Sequence, residues 1–127
     1  MLNSGFARSL FAVAAILIAT ATGIGAWESH GAATLDADAL RSLGTAVDYQ
    51  FFHALGLLGV AIAIERHRNS GLLTIAALIL LGGIVLFCGG VYSSSLGGPG
   101  WITSLSPVGG MSLILGWILV AVAALRG

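Results

Sequence analysis

The sequence predicts an all-α integral membrane protein, a four-helix bundle with a short interfacial helix between its first two spans. Three observations lead to this prediction. Only 8% of the 127 residues are charged, whereas an average soluble domain has about 25% charged residues. The mean hydropathy is +1.02, and four apolar segments are long enough to cross a membrane. The low and balanced charge argues against a soluble domain, a disordered chain and a nucleic-acid-binding protein.

The four apolar segments define the domain organisation. A membrane-spanning helix needs about 20 mostly apolar residues. The segments that meet this requirement lie at about 9–26, 45–64, 72–92 and 107–125. Their short connections leave no room for a soluble domain, so we expect residues 1–127 to form a single four-span membrane domain. The first segment also has features of a secretory signal peptide, but its apolar stretch of about 18 residues favours a retained helix.

The arginines predict the orientation of the chain. Four of the five fall on one side of a four-span arrangement, namely Arg8, Arg66, Arg68 and Arg126. By the positive-inside rule, both termini are expected in the cytoplasm. The acidic residues of the opposite, outer side are Glu28, Asp36, Asp38 and Asp48.

The two outer connections have different characters. Asp36 can cap a helix, and Leu35, Ala39, Leu40 and Leu43 share one helical face. We therefore predict a short amphipathic helix at the interface, running into the second span. The second outer connection, residues 93–106, is rich in Ser, Gly and Pro and indicates a turn. Pro107 suits the first turn of the fourth helix, where its missing N–H does no harm.

Small residues predict where helices pack. Lipid offers no hydrophobic reason for helices to associate, so residues that permit close backbone approach become important. The first helix has Ala15, Ala19 and Gly23 at intervals of four residues. The candidate packing residues of the other three helices are Gly56, Gly59, Gly82, Gly89, Gly109 and Gly116. Cys88 is expected to be a small buried residue, as free cysteines usually are.

Polar residues gather around the start of the second span, at the outer rim of the predicted bundle. The cluster comprises Glu28, His30, Asp48, Tyr49, Gln50 and His53. The candidate ligand-binding residues are His30, Tyr49, Gln50 and His53. Three kinds of ligand are open: a metal on the two histidines and a carboxylate, a haem on the two histidines, or a quinone or lipid headgroup held by a His, a Tyr and a carboxylate. A proton path is another reading. The structural alternative is that His53 and Tyr49 bond loop backbone and hold the outer loop on the bundle.

The order of motifs resembles a known family. The stretches that carry the resemblance are 25–31 (GAWESHG), 49–55 (YQFFHAL), 86–89 (LFCG) with Tyr92, and 106–110 (SPVGG) followed by Gly116-Trp117. They are similar to the small membrane proteins grouped as domain of unknown function 423, which include animal transmembrane protein 256. The resemblance implies a four-helix protein of a bacterial-type inner membrane and no established reaction.

No motif requires a cofactor, and no nucleophile or phosphate-binding motif is present. We therefore expect a non-enzymatic accessory or interaction subunit of an inner-membrane assembly, such as a respiratory or other energy-transducing complex. Its partners would be membrane lipids and other membrane subunits, with no nucleic acid. The alternative is a protein that binds a quinone, metal or haem at the outer His/Tyr cluster. A transporter or channel is a third reading, for which the spans offer one charge, Asp48.

Overall fold

The fold is a bundle of long helices. The computed structural model describes residues 2–127, which contain five α-helices and no strand. The helices are α1 (Gly5–His30), α2 (Ala37–Arg66), α3 (Gly71–Ser95), α4 (Gly100–Thr103) and α5 (Ser106–Arg126). α4 is a single turn, and the other four helices are long and apolar enough to cross a membrane. Each of the four predicted apolar segments lies within one long helix.

Local chemistry explains where the helices begin. The side chains of Ser4, Asp36 and Ser70 accept hydrogen bonds from backbone N–H groups in the first turns of α1, α2 and α3. The Asp36 carboxylate is 2.8 Å from the Ala39 nitrogen. Such caps satisfy N–H groups that have no partner within the helix. Pro107 occupies the first turn of α5, as predicted.

The interfacial helix is not a separate element. Residues 37–43 are helical, as expected, but they form the first turns of α2, which continues for 30 residues. Gly44 lies where these first turns meet the apolar segment, and the Glu28 carboxylate occupies the place where a Gly44 side chain would lie. A helix of this length spans about 45 Å, so it exceeds the hydrocarbon thickness of about 30 Å. The short separate helix, α4, lies instead in the connection between α3 and α5.

The long helices pack in chain order. α1 packs against α2, α2 against α3, and α3 against α5. The largest fully buried side chains include Leu57 of α2 with Leu80 and Ile84 of α3, because these helices have neighbours on both sides. α1 contributes small buried residues at intervals of seven, namely Ala7, Ala14 and Ala21. α1 and α5 therefore stand at opposite ends of the packing order.

Glycines allow the closest helix contacts. A Cβ at Gly109 of α5 would overlap the backbone of Phe87 in α3, and one at Gly83 would lie 3.0 Å from the Gly109 carbonyl oxygen. Gly56 lies under the Trp117 ring, and Gly116 lies under Leu80. These two positions and Gly109 are packing residues that the sequence singled out.

The other candidate packing residues do not lie at helix–helix contacts. A Cβ at Gly23, Gly59, Gly82 or Gly89 would meet nothing within 4 Å, and Ala15 and Ala19 are exposed. Hydropathy cannot separate these faces from the buried ones, because lipid is as apolar as the bundle interior.

The arginine-rich end is held together by Glu65. Its carboxylate accepts hydrogen bonds from the backbone N–H groups of Asn3 and Ser4, at 3.0 and 2.8 Å, and from the Arg68 guanidinium at 2.6 Å. These bonds, the one from Arg68 above all, lower the pKa of Glu65 to about 2. Glu65 lies just beyond the apolar segment of α2, so it ties the start of α1 to the end of α2.

Candidate functional site

The four candidate ligand residues do not form one site. His30 is the last residue of α1 and is exposed, whereas Tyr49, Gln50 and His53 lie in the middle of α2. α1 and α2 are antiparallel, with Leu17 beside Gln50. His30 is 13 residues beyond Leu17, a rise of about 20 Å. The predicted outer-rim cluster therefore divides into an outer part and a part inside the bundle.

This separation bears on the metal and haem alternatives. The two histidines are on different helices and at different heights, so they are not brought together as a ligand pair. Across residues 2–127, no three His, Cys, Asp or Glu side chains are grouped so that they could hold a metal ion. The geometry thus gives no support to a metal or bis-histidine haem at His30 and His53.

Gln50 is buried, and its side-chain amide is hydrogen-bonded within the bundle through both its nitrogen and its oxygen. It is 5% exposed, and its Nε2 donates to the Leu17 carbonyl oxygen at 2.7 Å and to Thr20 Oγ1 at 2.8 Å. Its Oε1 accepts a hydrogen bond from the Tyr92 hydroxyl at 2.8 Å. One side chain of α2 thereby joins α1 and α3. We interpret Gln50 as a structural residue, since a buried amide needs such partners.

Tyr49 and His53 lie on another face of α2, towards α3 and α5. The Tyr49 ring stacks on Phe87 with ring centroids 4.7 Å apart. Trp117 Nε1 donates to His53 Nδ1 at 2.9 Å. Neither contact involves loop backbone, so the structural alternative was wrong about the partners: these side chains join helices. Gly56, one turn along α2 from His53, leaves room for the Trp117 ring.

The Trp117 bond fixes the tautomer of His53. An indole N–H is only a donor, so Nδ1 must be the unprotonated nitrogen and the ring proton resides on Nε2. No protein group among the described residues bonds that Nε2, and no buried side-chain nitrogen or oxygen there lacks a partner. His53 Nε2 is therefore an accessible donor. Tyr49 is 43% exposed as a whole residue, and its hydroxyl is a second free polar group.

Tyr49 and His53 line a groove of about 730 Å³ between α2, α3 and α5. Its aromatic wall is formed by Tyr49, Phe52, His53, Phe87 and Trp117, and its opposite edge by α5 residues that include Gly110, Met111 and Ile114. Phe52, Met111 and Ile114 are more than half exposed, so the groove opens on the outer surface of the bundle. Among residues 2–127, no charged side chain lines it.

The groove lies deep along α2. His53 is 12 residues from Arg41 and 13 from Arg66, which places it about 18–20 Å along the helix from either arginine. Arginines near span ends reach the headgroup level. His53 therefore lies near the middle of the span, and the groove extends from there to Pro107, in the first turn of α5.

Cys88 and the residues of the arginine-rich end lie outside this groove. Cys88 is buried, as expected, with Sγ 3.6 Å from the Ala46 carbonyl oxygen. A second cavity, of about 690 Å³, lies at the arginine-rich end between α2, α3 and α5 and is lined in part by His67, Asn69 and Arg126.

The sequence reading missed Trp117, Phe87, Thr20 and Tyr92 as partners of the polar residues. One signal was available for Trp117: an indole N–H inside a span needs an acceptor, and His53 is one of few candidates.

Comparison with known proteins identifies the family. A family model described as "Protein of unknown function (DUF423)" matches residues 24–110. The UPF0382 membrane protein YwdK of Bacillus subtilis is 36% identical over 84% of this chain and 87% of its own length. The UPF0382 inner membrane protein YgdD of Escherichia coli K12 is 36% identical over 81% of this chain and 79% of its own length.

A Haemophilus influenzae UPF0382 membrane protein is 31% identical over 81% of this chain and 82% of its own length. No solved structure matches the chain. The names of these relatives state a membrane location and no enzyme activity. The helices, the apolar spans and these matches agree with the resemblance seen in the sequence, and the chain belongs to the DUF423 family of small membrane proteins.

Proposed function

We propose that this chain is a non-catalytic accessory or interaction subunit of an inner-membrane assembly, with α1 as the helix that contacts the partner. The observation that carries the proposal is the composition of the outward face of α1. Small exposed residues follow one another along it: Ala12, Ala15, Ala19, Gly23 and Ala26. The exposed large side chains of α1 are Phe6, Val13, Ile16 and Trp27, of which only Ile16 is more than half exposed.

The exposed face of α5, at the other end of the packing order, has larger side chains than that of α1. The exposed face of α5 consists largely of bulky side chains: Val108, Met111, Ile114, Leu115, Ile118 and Val122. Such side chains suit a surface covered by lipid tails. Small residues instead permit close backbone contact, which is what drives association of helices in a membrane. The contrast between the two terminal helices supports α1 as a protein-contacting surface and α5 as a lipid-contacting surface.

Orientation is part of the proposal. Arg8 is near the start of α1, Arg66 at the end of α2 and Arg126 at the end of α5, so all three occupy one end of the antiparallel bundle. An inner membrane would hold this end in the cytoplasm, together with both termini. Reporter fusions at residue 127 and in the α1–α2 connection should give opposite compartment signals, and identical signals would refute this orientation.

The interaction is tested by adding bulk to α1. The double variant Ala15→Leu/Ala19→Leu places two large side chains on the exposed face, where the chain itself has no neighbour. Gentle extraction followed by native mass spectrometry should recover the wild type with a stoichiometric membrane-protein partner and the variant without it. A matched control is Ala121→Leu, at an exposed position of α5, which should retain the partner.

Three outcomes would contradict the proposal. The wild type could be recovered as a monomer, or as an assembly of this chain alone. The α1 variant could also keep its partner as well as the α5 control does. A matching thermal midpoint of the purified double variant and the wild type shows that a lost partner is not caused by misfolding.

A further inference from the structure

The groove beside His53 carries an inference that is independent of the proposed partner surface. We propose that it binds a lipid-soluble quinone, whose ring lies among Tyr49, Phe87 and Trp117 and whose carbonyl oxygen accepts a hydrogen bond from His53 Nε2. The Tyr49 hydroxyl is the second donor. The isoprenoid tail would leave the groove past Met111 and Ile114 into the membrane.

The first argument is the state of His53. Trp117 bonds Nδ1 and leaves a proton on Nε2, for which the described part of the chain offers no acceptor. In the middle of a bilayer, water is not available to pair with this donor. An unpaired polar group in an apolar environment is costly, so an occupant with an acceptor oxygen is favoured.

The second argument is the shape and chemistry of the groove. Its volume of about 730 Å³ falls in the range of small-molecule sites, which are typically apolar with a few placed polar groups. The rings of Tyr49 and Phe87 are stacked, and the rings of His53 and Trp117 lie 28° from parallel. Flat walls held in this way suit a flat ring.

The third argument is depth and charge. A phospholipid carries its phosphate at the membrane surface, whereas His53 is about 18–20 Å along α2 from Arg41 and Arg66. The groove has no charged lining residue. An occupant that bonds His53 must therefore bring a neutral polar group to this depth in the hydrocarbon region, as a quinone ring does.

The test uses the full chain, purified alone in phosphatidylcholine nanodiscs, with a 1,4-benzoquinone carrying a ten-carbon tail as the probe. Quenching of tryptophan fluorescence reports proximity of the probe to Trp117. The wild type should quench saturably. Gly110→Leu should abolish the saturable part, because a Cβ there lies 3.6 Å from the Phe87 ring and the rest of the side chain fills the groove.

Two further variants complete the experiment. Gly82→Leu is the matched control, since the position is exposed on α3 and its Cβ meets nothing within 4 Å. It should bind as the wild type does. Tyr49→Phe keeps the stacking on Phe87 and removes only the hydroxyl, so it should weaken binding about fivefold, the effect of one hydrogen bond. If Gly110→Leu does not fold, the comparison of Tyr49→Phe with the wild type decides the result.

The overturning results are specific. Non-saturable quenching that is equal in all four proteins means that the probe only partitions into lipid. Saturable quenching that Gly110→Leu and Tyr49→Phe leave unchanged means that the quinone binds elsewhere. Because no partner protein is present, either result leaves the proposed role of α1 untouched.

Discussion

Replacing Gln50 by Met should destabilise the bundle by about 2–3 kcal/mol. Methionine keeps the length and apolar stem of the side chain but cannot form the three hydrogen bonds to Leu17, Thr20 and Tyr92. Hydrogen bonds between membrane helices are worth on average about 0.6 kcal/mol, so three account for about 2 kcal/mol. The remainder is the cost of leaving the Tyr92 hydroxyl without its acceptor.

The assay is reversible unfolding of the purified chain in mixed micelles as the detergent SDS is added, followed by circular dichroism. Leu55→Met is the matched control, because Leu55 is exposed on the same helix, and it should change the free energy of unfolding by less than about 0.5 kcal/mol. A double-mutant cycle with Tyr92→Phe adds a second constraint. The two changes should be non-additive by about 1 kcal/mol, because each breaks the same Tyr92–Gln50 bond.

Two results would refute this reasoning. A Gln50→Met variant as stable as the wild type would mean that the network contributes nothing beyond its apolar packing. Additive effects of the two substitutions would mean that Gln50 and Tyr92 are not bonded to each other.

Two further predictions concern the α3–α5 contact and the arginine-rich end. Gly109→Leu should destabilise the protein by about 3 kcal/mol, because the Phe87 backbone occupies the space of the new side chain; the same unfolding assay measures it, and Gly82→Leu should be neutral. Glu65→Gln should lower the thermal midpoint at pH 7, because the depressed pKa of about 2 reflects bonds to the charged carboxylate, first of all from Arg68. The difference from wild type should be complete above pH 4.5 and should shrink as the pH falls towards 2, where wild-type Glu65 is also protonated.

Each of these predictions has a result that contradicts it. For the glycine pair, equal stability of Gly109→Leu and Gly82→Leu would show that α3 and α5 do not approach as closely as described. For the acid, the control is Asp38→Asn, whose ion pair with Arg41 is highly exposed and should contribute little. A Glu65→Gln effect that does not vary with pH below 4.5 would show that the carboxylate charge is not what holds the end together.

Much of the fold follows from local sequence. The four spans, the Asp36 cap and the first-turn Pro107 depend on hydropathy, on one side-chain acceptor and on a missing N–H, so they can be predicted without knowing what packs where. Which face of each helix is buried in the bundle cannot be predicted in this way. Ala7 and Ala14 face the interior, whereas Ala15 and Ala19 face outwards, and nothing in their chemistry distinguishes them.

The candidate site was only partly predictable for the same reason. Spacing of four residues placed Tyr49 and His53 on one face of α2, and the structure has them so. Spacing of three also suggested Gln50, but its side chain lies between α1 and α3, and no local signal indicated those partners. His53 is the ninth residue of the 20-residue apolar segment 45–64, so the sequence already placed it nearer the middle of that span than its outer end.

Gln50 and Tyr49 are adjacent in sequence and serve different surfaces, which makes the two proposals separable. The α1 face and the groove share no residue, so Ala15→Leu/Ala19→Leu should leave saturable quinone quenching intact, and Gly110→Leu should leave the partner bound. Gln50 is different because it joins α1 to α3, and its neighbour Tyr49 stacks on Phe87 of α3. Loss of Gln50 should therefore weaken both partner retention and quinone binding. A Gln50→Met variant that stays folded and impairs only one of them would show that α1 and the groove are not mechanically connected through α2.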